Sequence, residues 1–285
     1  MLDTTLKTED PNIFTYNSPE VASYYAALDT LTPCEQVLFE EFLRPGMAIL
    51  DLGVGGGRTT PYLSSIASRY VGLDYASEMI VRCRRKFPEL DFELGTATDL
   101  SMFGSSSFDA VVMAFNAIDY VIPDESRLGA LREIRRVLSA SGVLIFSSHN
   151  PRAIVVRPSW NSKRIRSLAK KIAGSESIFF RPILFSLNTI RGALAWAQAV
   201  FQSAVRAIKR LPMLAFWRGD GYWIDSAHGG LKTHGSVPGK VVSELGGCGF
   251  RLLRALGHDH PRTSSLYVTG WYYYVFSKSD GASTS

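Results

Sequence analysis

The sequence predicts an α/β fold built on a doubly wound, mostly parallel sheet with helices on both faces. Three observations carry this. Residues 49–57 read Ile-Leu-Asp-Leu-Gly-Val-Gly-Gly-Gly, a short apolar run ending in a glycine-rich turn. Five such strand candidates alternate with helical patterns over the first 150 residues, the mark of βα units on a parallel sheet. Polar residues then fall at the carboxyl ends of those strands, where ligands of open α/β sheets sit.

Residues 49–52 form the first strand, the glycines at 53, 55 and 57 the turn, and residues 58–67 the helix that follows. The second strand is residues 70–74, ending on Asp74, with Ser77 as the cap of a helix that turns Met79, Ile80 and Cys83 to one face. Residues 91–94 are the third strand, leading into the loop Gly95-Thr96-Ala97-Thr98-Asp99-Leu100. The fourth spans 108–115 and is followed by Asn116-Ala117-Ile118-Asp119-Tyr120. A helix over 127–138 presents Leu128, Leu131, Ile134 and Leu138 on one side, and strand five, residues 142–147, ends at Ser148-His149-Asn150. Residues 237–245 read as a helix, and 250–256 and 271–276 as two last strands. At the N-terminus, Ser18-Pro19 is a good helix start, cap then proline in the first turn.

The glycine spacing separates two kinds of ligand. A dinucleotide turn needs Gly-x-Gly-x-x-Gly/Ala, so that a third small residue packs helix on strand. Counting from Gly53 that place holds Arg58, and from Gly55 it holds Thr60. A NAD-dependent oxidoreductase is therefore disfavoured. Asp74 lies 23 residues past Asp51, close to the roughly 20-residue offset at which an acidic side chain meets a ribose.

The acidic-x-Gly-x-Gly-x-Gly form at a strand end resembles motif I of class I S-adenosylmethionine (SAM) methyltransferases. Phe108-Asp109-Ala110-Val111 is similar to the fourth strand of the same family. The resemblance covers about residues 14–150 and resumes near 237. It implies a seven-stranded sheet whose last strand is antiparallel, SAM as cofactor and S-adenosyl-L-homocysteine as product. It implies that Asp51, Gly53, Gly55 and Gly57 serve the methionyl end, and Asp74 and Tyr75 the ribose region. The loop with Ala97, Thr98 and Asp99 would hold the adenine, although Thr96 stands where the family often has aspartate. Asn116 would line the sulfonium and acceptor. Tyr16 and Tyr25 would close over the cofactor, since an aromatic face near a cation is favourable.

Composition bounds the rest. A chain of 285 residues with 46% hydrophobic content can bury a full core. Cys34, Cys83 and Cys248 show neither metal-ligand nor disulfide spacing, so a cytoplasmic setting is expected. No apolar run is long enough for a spanning helix. The predicted organisation is an N-terminal helical part and cofactor-binding core over 1–150, a basic and largely helical insertion after strand five over 151–236, core-completing elements over 237–278, and a disordered tail over 279–285. Residues 151–220 hold 13 Lys and Arg against Glu176 and Asp220, while the remainder of the chain is mildly acidic. An amphipathic helix is expected at 189–211. The insertion reads as a lid packed on the core, as a surface for anionic membrane or a lipid-linked acceptor, or as a contact for a phosphate- or carboxylate-bearing acceptor. RNA is the weakest reading, because no RNA-binding motif accompanies the charge.

Methyl transfer to a hydroxyl needs an aligned nucleophile and a base to take its proton. His149, at a strand end, is the first candidate, and an imidazole titrates in the right range. His228 is the second, after the insertion; His234 and Asp119 are further options. His258 and His260 are read as surface residues. No Asn/Asp-Pro-Pro-Tyr follows strand four, which disfavours nucleobase amines, and Pro33-Cys34 is placed for a helix start rather than for a nucleophile. The resulting expectation is O-methylation of a small-molecule, sugar- or lipid-linked acceptor. An N-methyltransferase, or a non-catalytic SAM-binding module attached to membrane or anionic partners, are the alternatives.

Overall fold

The computed structural model describes residues 12–153, 213–225 and 230–279. The predicted helix at 189–211, most of the basic insertion, and His228 lie outside these residues.

Three helices, α1 (Ile13–Tyr16), α2 (Pro19–Ala26) and α3 (Pro33–Phe42), precede the sheet. The βα units then run β1 (Met47–Leu52), α4 (Thr60–Ile66), β2 (Ala67–Asp74), α5 (Ser77–Lys86), β3 (Asp91–Leu94), β4 (Phe108–Met113), a 3-10 turn (Ala117–Tyr120), α6 (Asp124–Val137) and β5 (Leu138–His149). After the insertion come α7 (Met213–Arg218), β6 (Asp220–Asp225), β7 (Leu231–Ser236), α8 (Pro238–Gly247), β8 (Phe250–Gly257) and β9 (Trp271–Lys278). The main sheet has seven strands in the order β3-β2-β1-β4-β5-β9-β8. Strands β1 to β5 are parallel. The last strand in sequence, β9, inserts antiparallel between β5 and β8. This is the predicted seven-stranded, mostly parallel sheet.

Both faces are covered, as a parallel sheet requires. On β5 the period of two sends Leu144 and Phe146 to one core, with Leu131, Ile134 and Val137 of α6 and Val241 and Leu245 of α8. Val143 and Ile145 go to the other, with Leu38 and Phe39 of α3, Leu63 of α4 and Ile80 and Cys83 of α5. Strand order reverses between β1 and β4, so the crevice beyond their carboxyl ends is the expected ligand site.

Several predicted boundaries move. Ser77 does not cap α5: Ala76 holds that position, and Ser77 Oγ instead donates to Asn17 Oδ1 at 3.1 Å. Strand β4 stops at Met113, because Phe115 and Asn116 turn into left-handed backbone at φ 57° and 62°. Helix α4 begins at Thr60 rather than 58, since Arg58 is drawn off into an ion pair. Within the predicted helical insertion, the described part includes an antiparallel hairpin, β6–β7, that pairs Tyr222 with His234 and Trp223 with Thr233. Its strands are too mixed in polarity to announce themselves by alternation.

Helix α3 is tied to the glycine turn by charge. Arg58 donates through both terminal nitrogens to Glu35, at 2.6 and 2.5 Å, and also to the Thr30 carbonyl at 3.0 Å. Glu35 in turn completes a capping box with Thr32. The Glu35 side chain is 2% exposed. Glu35→Ala would leave the Arg58 charge buried without its carboxylate, a loss of about 3–5 kcal/mol. The midpoint of thermal unfolding should drop by roughly 10 °C; a drop of under about 2 °C in calorimetry would show that the pair does not hold α3.

Candidate active site

Four strand ends meet at the crevice. Beneath the glycine turn, Asp51 at the end of β1 is 1% exposed. Its Oδ2 accepts from Thr59 Oγ1 at 2.7 Å and from the Tyr70 hydroxyl at 3.0 Å. Burial pushes its carboxyl up to about 6. Asp51 therefore braces the turn from below. Gly53, Gly55 and Gly57 have φ of 68°, 55° and 80°, the left-handed region that glycine enters freely. A Cβ on Gly55 would meet nothing nearer than 4.0 Å, so space lies beside that backbone. Gly56 is held for another reason: a Cβ there would lie 2.3 Å from Ala26 N, where the end of α2 rests on the turn.

Asp74 closes β2 and is 6% exposed. Its Oδ2 accepts from Gly55 N and its Oδ1 from Ala76 N, each at 2.9 Å. A carboxylate offers about four lone-pair sites, so acceptor capacity remains on Asp74 beyond its backbone N–H partners. Burial pushes this carboxyl up to about 6, against the downward pull of the Ala76, Gly55 and Tyr75 N–H groups.

The loop after β3 is closed by a bridge between Thr96 and Asp99 and by Thr98 N–H donating to Thr96 Oγ1. Ala97 and Thr98 are half-buried and Asp99 is exposed. Asp99 Oδ1 accepts from Ser101 N at 3.0 Å, and the Ser101 hydroxyl, followed by this backbone N–H, holds the carboxyl below the usual range.

A line of rings crosses the crevice. Tyr16 is the hub, with centroids 6.0 Å from Tyr25, 6.0 Å from Tyr75 and 5.8 Å from Tyr120. Tyr120 continues to His149 at 6.3 Å, and His149 to Trp223 of the hairpin at 5.9 Å. Burial raises the Tyr16 hydroxyl well above its ordinary range and the Tyr25 hydroxyl to about 12, so both stay protonated at neutral pH. Tyr16 and Tyr25, both named from the sequence, thus lie together, and the line of rings continues to the strand-five end.

There, three polar side chains converge. His149 Nδ1 lies 2.8 Å from Asp119 Oδ2. The same carboxylate accepts His149 N–H at 2.6 Å and Ser148 Oγ–H at 2.7 Å. Asp119 is fully buried, at 0% exposure. On the other side of the ring, Asn116 Nδ2 lies 3.1 Å from His149 Nε2. An ionised carboxylate can only accept, so Nδ1 carries the hydrogen; in the neutral ring Nε2 then holds a lone pair, to which the Asn116 amide donates. The sequence named His149 and Asp119 as separate candidates for one role; the fold makes them partners.

His234 is buried in the hairpin 5.0 Å from the Tyr222 ring, and burial, then Arg127, lowers it to about 4. It is neutral at physiological pH. His258 stacks on Trp271 at 4.1 Å and accepts from Gly270 N–H, which gives it a packing role at the sheet edge. Asn12 was missed by sequence reading. Its amide donates to the Lys232 carbonyl at 2.7 Å and accepts from Lys232 N at 2.9 Å, pinning the N-terminal segment to the hairpin. Tyr222 also bonds Asp124 at 2.5 Å. No sequence signal joins residues so far apart.

An adenosylated sulfonium fits this crevice: buried carboxylate lone pairs at the end of β2, room beside Gly55, and aromatic faces opposite. Among the described residues no cluster of His, Cys, Asp or Glu is arranged to hold a metal ion, and no helix is long and apolar enough to cross a membrane.

Comparison with known proteins agrees. Residues 49–142 match the model of a family described as a methyltransferase domain. A demethylmenaquinone methyltransferase of Renibacterium salmoninarum is 33% identical over 101 residues, 35% of this chain and 40% of that protein. An uncharacterized methyltransferase of Synechocystis is 28% identical over 145 residues, 48% of this chain and 67% of that protein. The match thus spans two fifths to two thirds of these relatives' lengths. A SAM-dependent methyltransferase of Methanosarcina mazei, known by crystal structure, superposes with a TM-score of 0.54 at 19% identity, covering 88% of this chain and 99% of that one.

Proposed function

Residues 49–142 carry a methyltransferase domain on a sheet with the class I SAM-dependent fold, and from that premise we propose that the protein methylates a hydroxyl group of a small-molecule acceptor, with His149 as base. The observation that carries this reading is the Asp119–His149 pair at the crevice, 2.8 Å apart. SAM supplies an electrophilic methyl carbon and leaves as S-adenosyl-L-homocysteine. The chain's own residues do the remainder. Asp74 accepts from the ribose hydroxyls, and the turn at Gly53, Gly55 and Gly57, braced by Asp51, admits the methionyl end. Ala97, Thr98 and Asp99 border the adenine. Tyr16, Tyr25 and Tyr75 cover the cofactor and keep water from the sulfonium. His149 Nε2 takes the acceptor proton, and the buried Asp119 carboxylate stabilises the imidazolium that forms. Asn116 stands between the cofactor side and the base.

The relative named for demethylmenaquinone supports a small-molecule acceptor. Contact with membrane or a lipid-linked acceptor rests on residues outside the described ones and gains no support from the crevice. Incubation with methyl-tritiated SAM and a panel of small hydroxylated aromatics tests the function. A labelled methyl ether is expected; label found only on nitrogen or carbon would overturn the oxygen assignment.

The elevated Asp74 carboxyl gives the binding a pH dependence. Ionised Asp74 accepts from both hydroxyls; protonated, one of its oxygens becomes a donor. With the folded carboxyl at about 6, SAM affinity should be full above that pH and fall as pH drops through about 6 toward 5. Calorimetry at pH 5, 6, 7 and 8 checks this beside Asp74→Asn, which should flatten the trend. A wild-type affinity constant across that range would remove Asp74 as the ribose ligand.

A further inference from the structure

We propose that Asn116 makes this site selective for an oxygen nucleophile over a nitrogen one, a reading that rests on His149 being the base. Asn116 is set rigidly by its backbone. It follows Phe115 in a left-handed turn, and its N–H donates to Ser147 Oγ at 2.8 Å. Its side-chain Nδ2 donates to His149 Nε2, 3.1 Å away. Its Oδ1 is buried and has no hydrogen-bond partner among the described residues. The amide is therefore tethered on one side only, and it caps the nitrogen that must accept a proton.

Because the amide occupies the single Nε2 lone pair, an acceptor that uses this base must displace that bond and enter between Nε2 and the amide. Its reacting atom must then donate a hydrogen to Nε2 and accept one from Asn116 Nδ2. A hydroxyl oxygen has two lone pairs: one receives the Asn116 N–H, and the other faces the methyl carbon. A neutral amine has a single lone pair, and bonding to Asn116 takes it out of reaction; an ammonium has none. In the transfer step the acceptor O–H bond breaks and its proton moves to Nε2. An O–C bond forms to the methyl carbon, and the C–S pair stays on sulfur. The product ether oxygen keeps a lone pair for the amide, so Asn116 stays bonded throughout. For an amine the same amide must be left unpaired, which by the usual penalty for a lost buried hydrogen bond disfavours it about 10- to 100-fold.

Two measurements test this. The first is 15N NMR of histidine-labelled protein with S-adenosyl-L-homocysteine bound. An Nδ1–H tautomer with Nε2 accepting a hydrogen bond is expected, with the Nε2 resonance shifting in Asn116→Gly, which keeps the left-handed backbone. In Asn116→Asp, Nε2 should instead become protonated. Nε2–H in the wild type, or an Nε2 signal indifferent to both variants, overturns the proposal whether or not any acceptor turns over. The second offers 4-aminophenol, both nucleophiles in one molecule, with SAM. At least a tenfold excess of O-methyl over N-methyl product is expected, falling at least tenfold in Asn116→Gly. An unchanged ratio in that variant, a predominantly N-methylated product, or ring methylation overturns selection by Asn116. His149→Ala separates the two levels: if it abolishes turnover while the Asn116 variants leave the ratio unmoved, the base stands and the selection fails. If His149→Ala leaves turnover intact, the base reading itself falls.

Discussion

Replacing His149 by alanine is expected to lower kcat by about 10²- to 10⁴-fold, the usual contribution of a positioned general base, and to leave SAM affinity within about twofold. The structure indicates why the loss should be confined to the chemical step. The ring sits at the end of β5, its side chain 19% exposed, and its two nitrogens are committed to Asp119 and Asn116. Removing it does not orphan the buried carboxylate, because Asp119 still accepts from the residue-149 backbone N–H and from Ser148 Oγ. Unfolding should therefore change little. Single-turnover rates with the acceptor found by the tritium screen, beside calorimetry with S-adenosyl-L-homocysteine, check both halves. A rate within tenfold of wild type would mean that proximity and alignment alone carry the reaction.

Asp74→Ala should show the opposite pattern: SAM binding weakened by at least about 10²-fold. Hydrogen bonds to a charged group contribute about 1.5–3 kcal/mol each, and the ribose offers two. The substitution also frees Gly55 N and Ala76 N, which the carboxylate holds at 2.9 Å, so the turn itself loosens. Asp74→Asn keeps one acceptor oxygen and should fall between the two. Calorimetric titration with SAM and S-adenosyl-L-homocysteine decides. Affinity within threefold of wild type in the alanine variant would leave Asp74 only its part in ordering the turn.

The sheet was legible because parallel strands buried on both faces are written as apolar runs, and the turn at 53–57 because left-handed backbone demands glycine. The placement of Asp74 at the end of β2 and of His149 at the end of β5 was legible from the strand pattern. The Asp119–His149 pairing was not, since residues 30 apart meet only once β5 is laid beside the turn that follows β4. The β6–β7 hairpin escaped notice within a basic, aromatic stretch that reads as helical. Gly56 falls at an unspecified position of the motif, and its constraint comes from the backbone of α2. What pattern reading finds are residues whose conformation or burial is set locally; what it misses are contacts decided by where two distant elements land.

Asn12 and Lys232 illustrate the second kind, and their bond has a consequence for synthesis on the ribosome. The segment that rests on the glycine turn emerges 220 residues before its clasp on residue 232. A contact of such separation carries a large loop-closure entropy and forms late. The βα core through β4 can associate while the segment from Asn12 to α2 is still unclasped, so the nascent crevice stands open until residue 232 arrives.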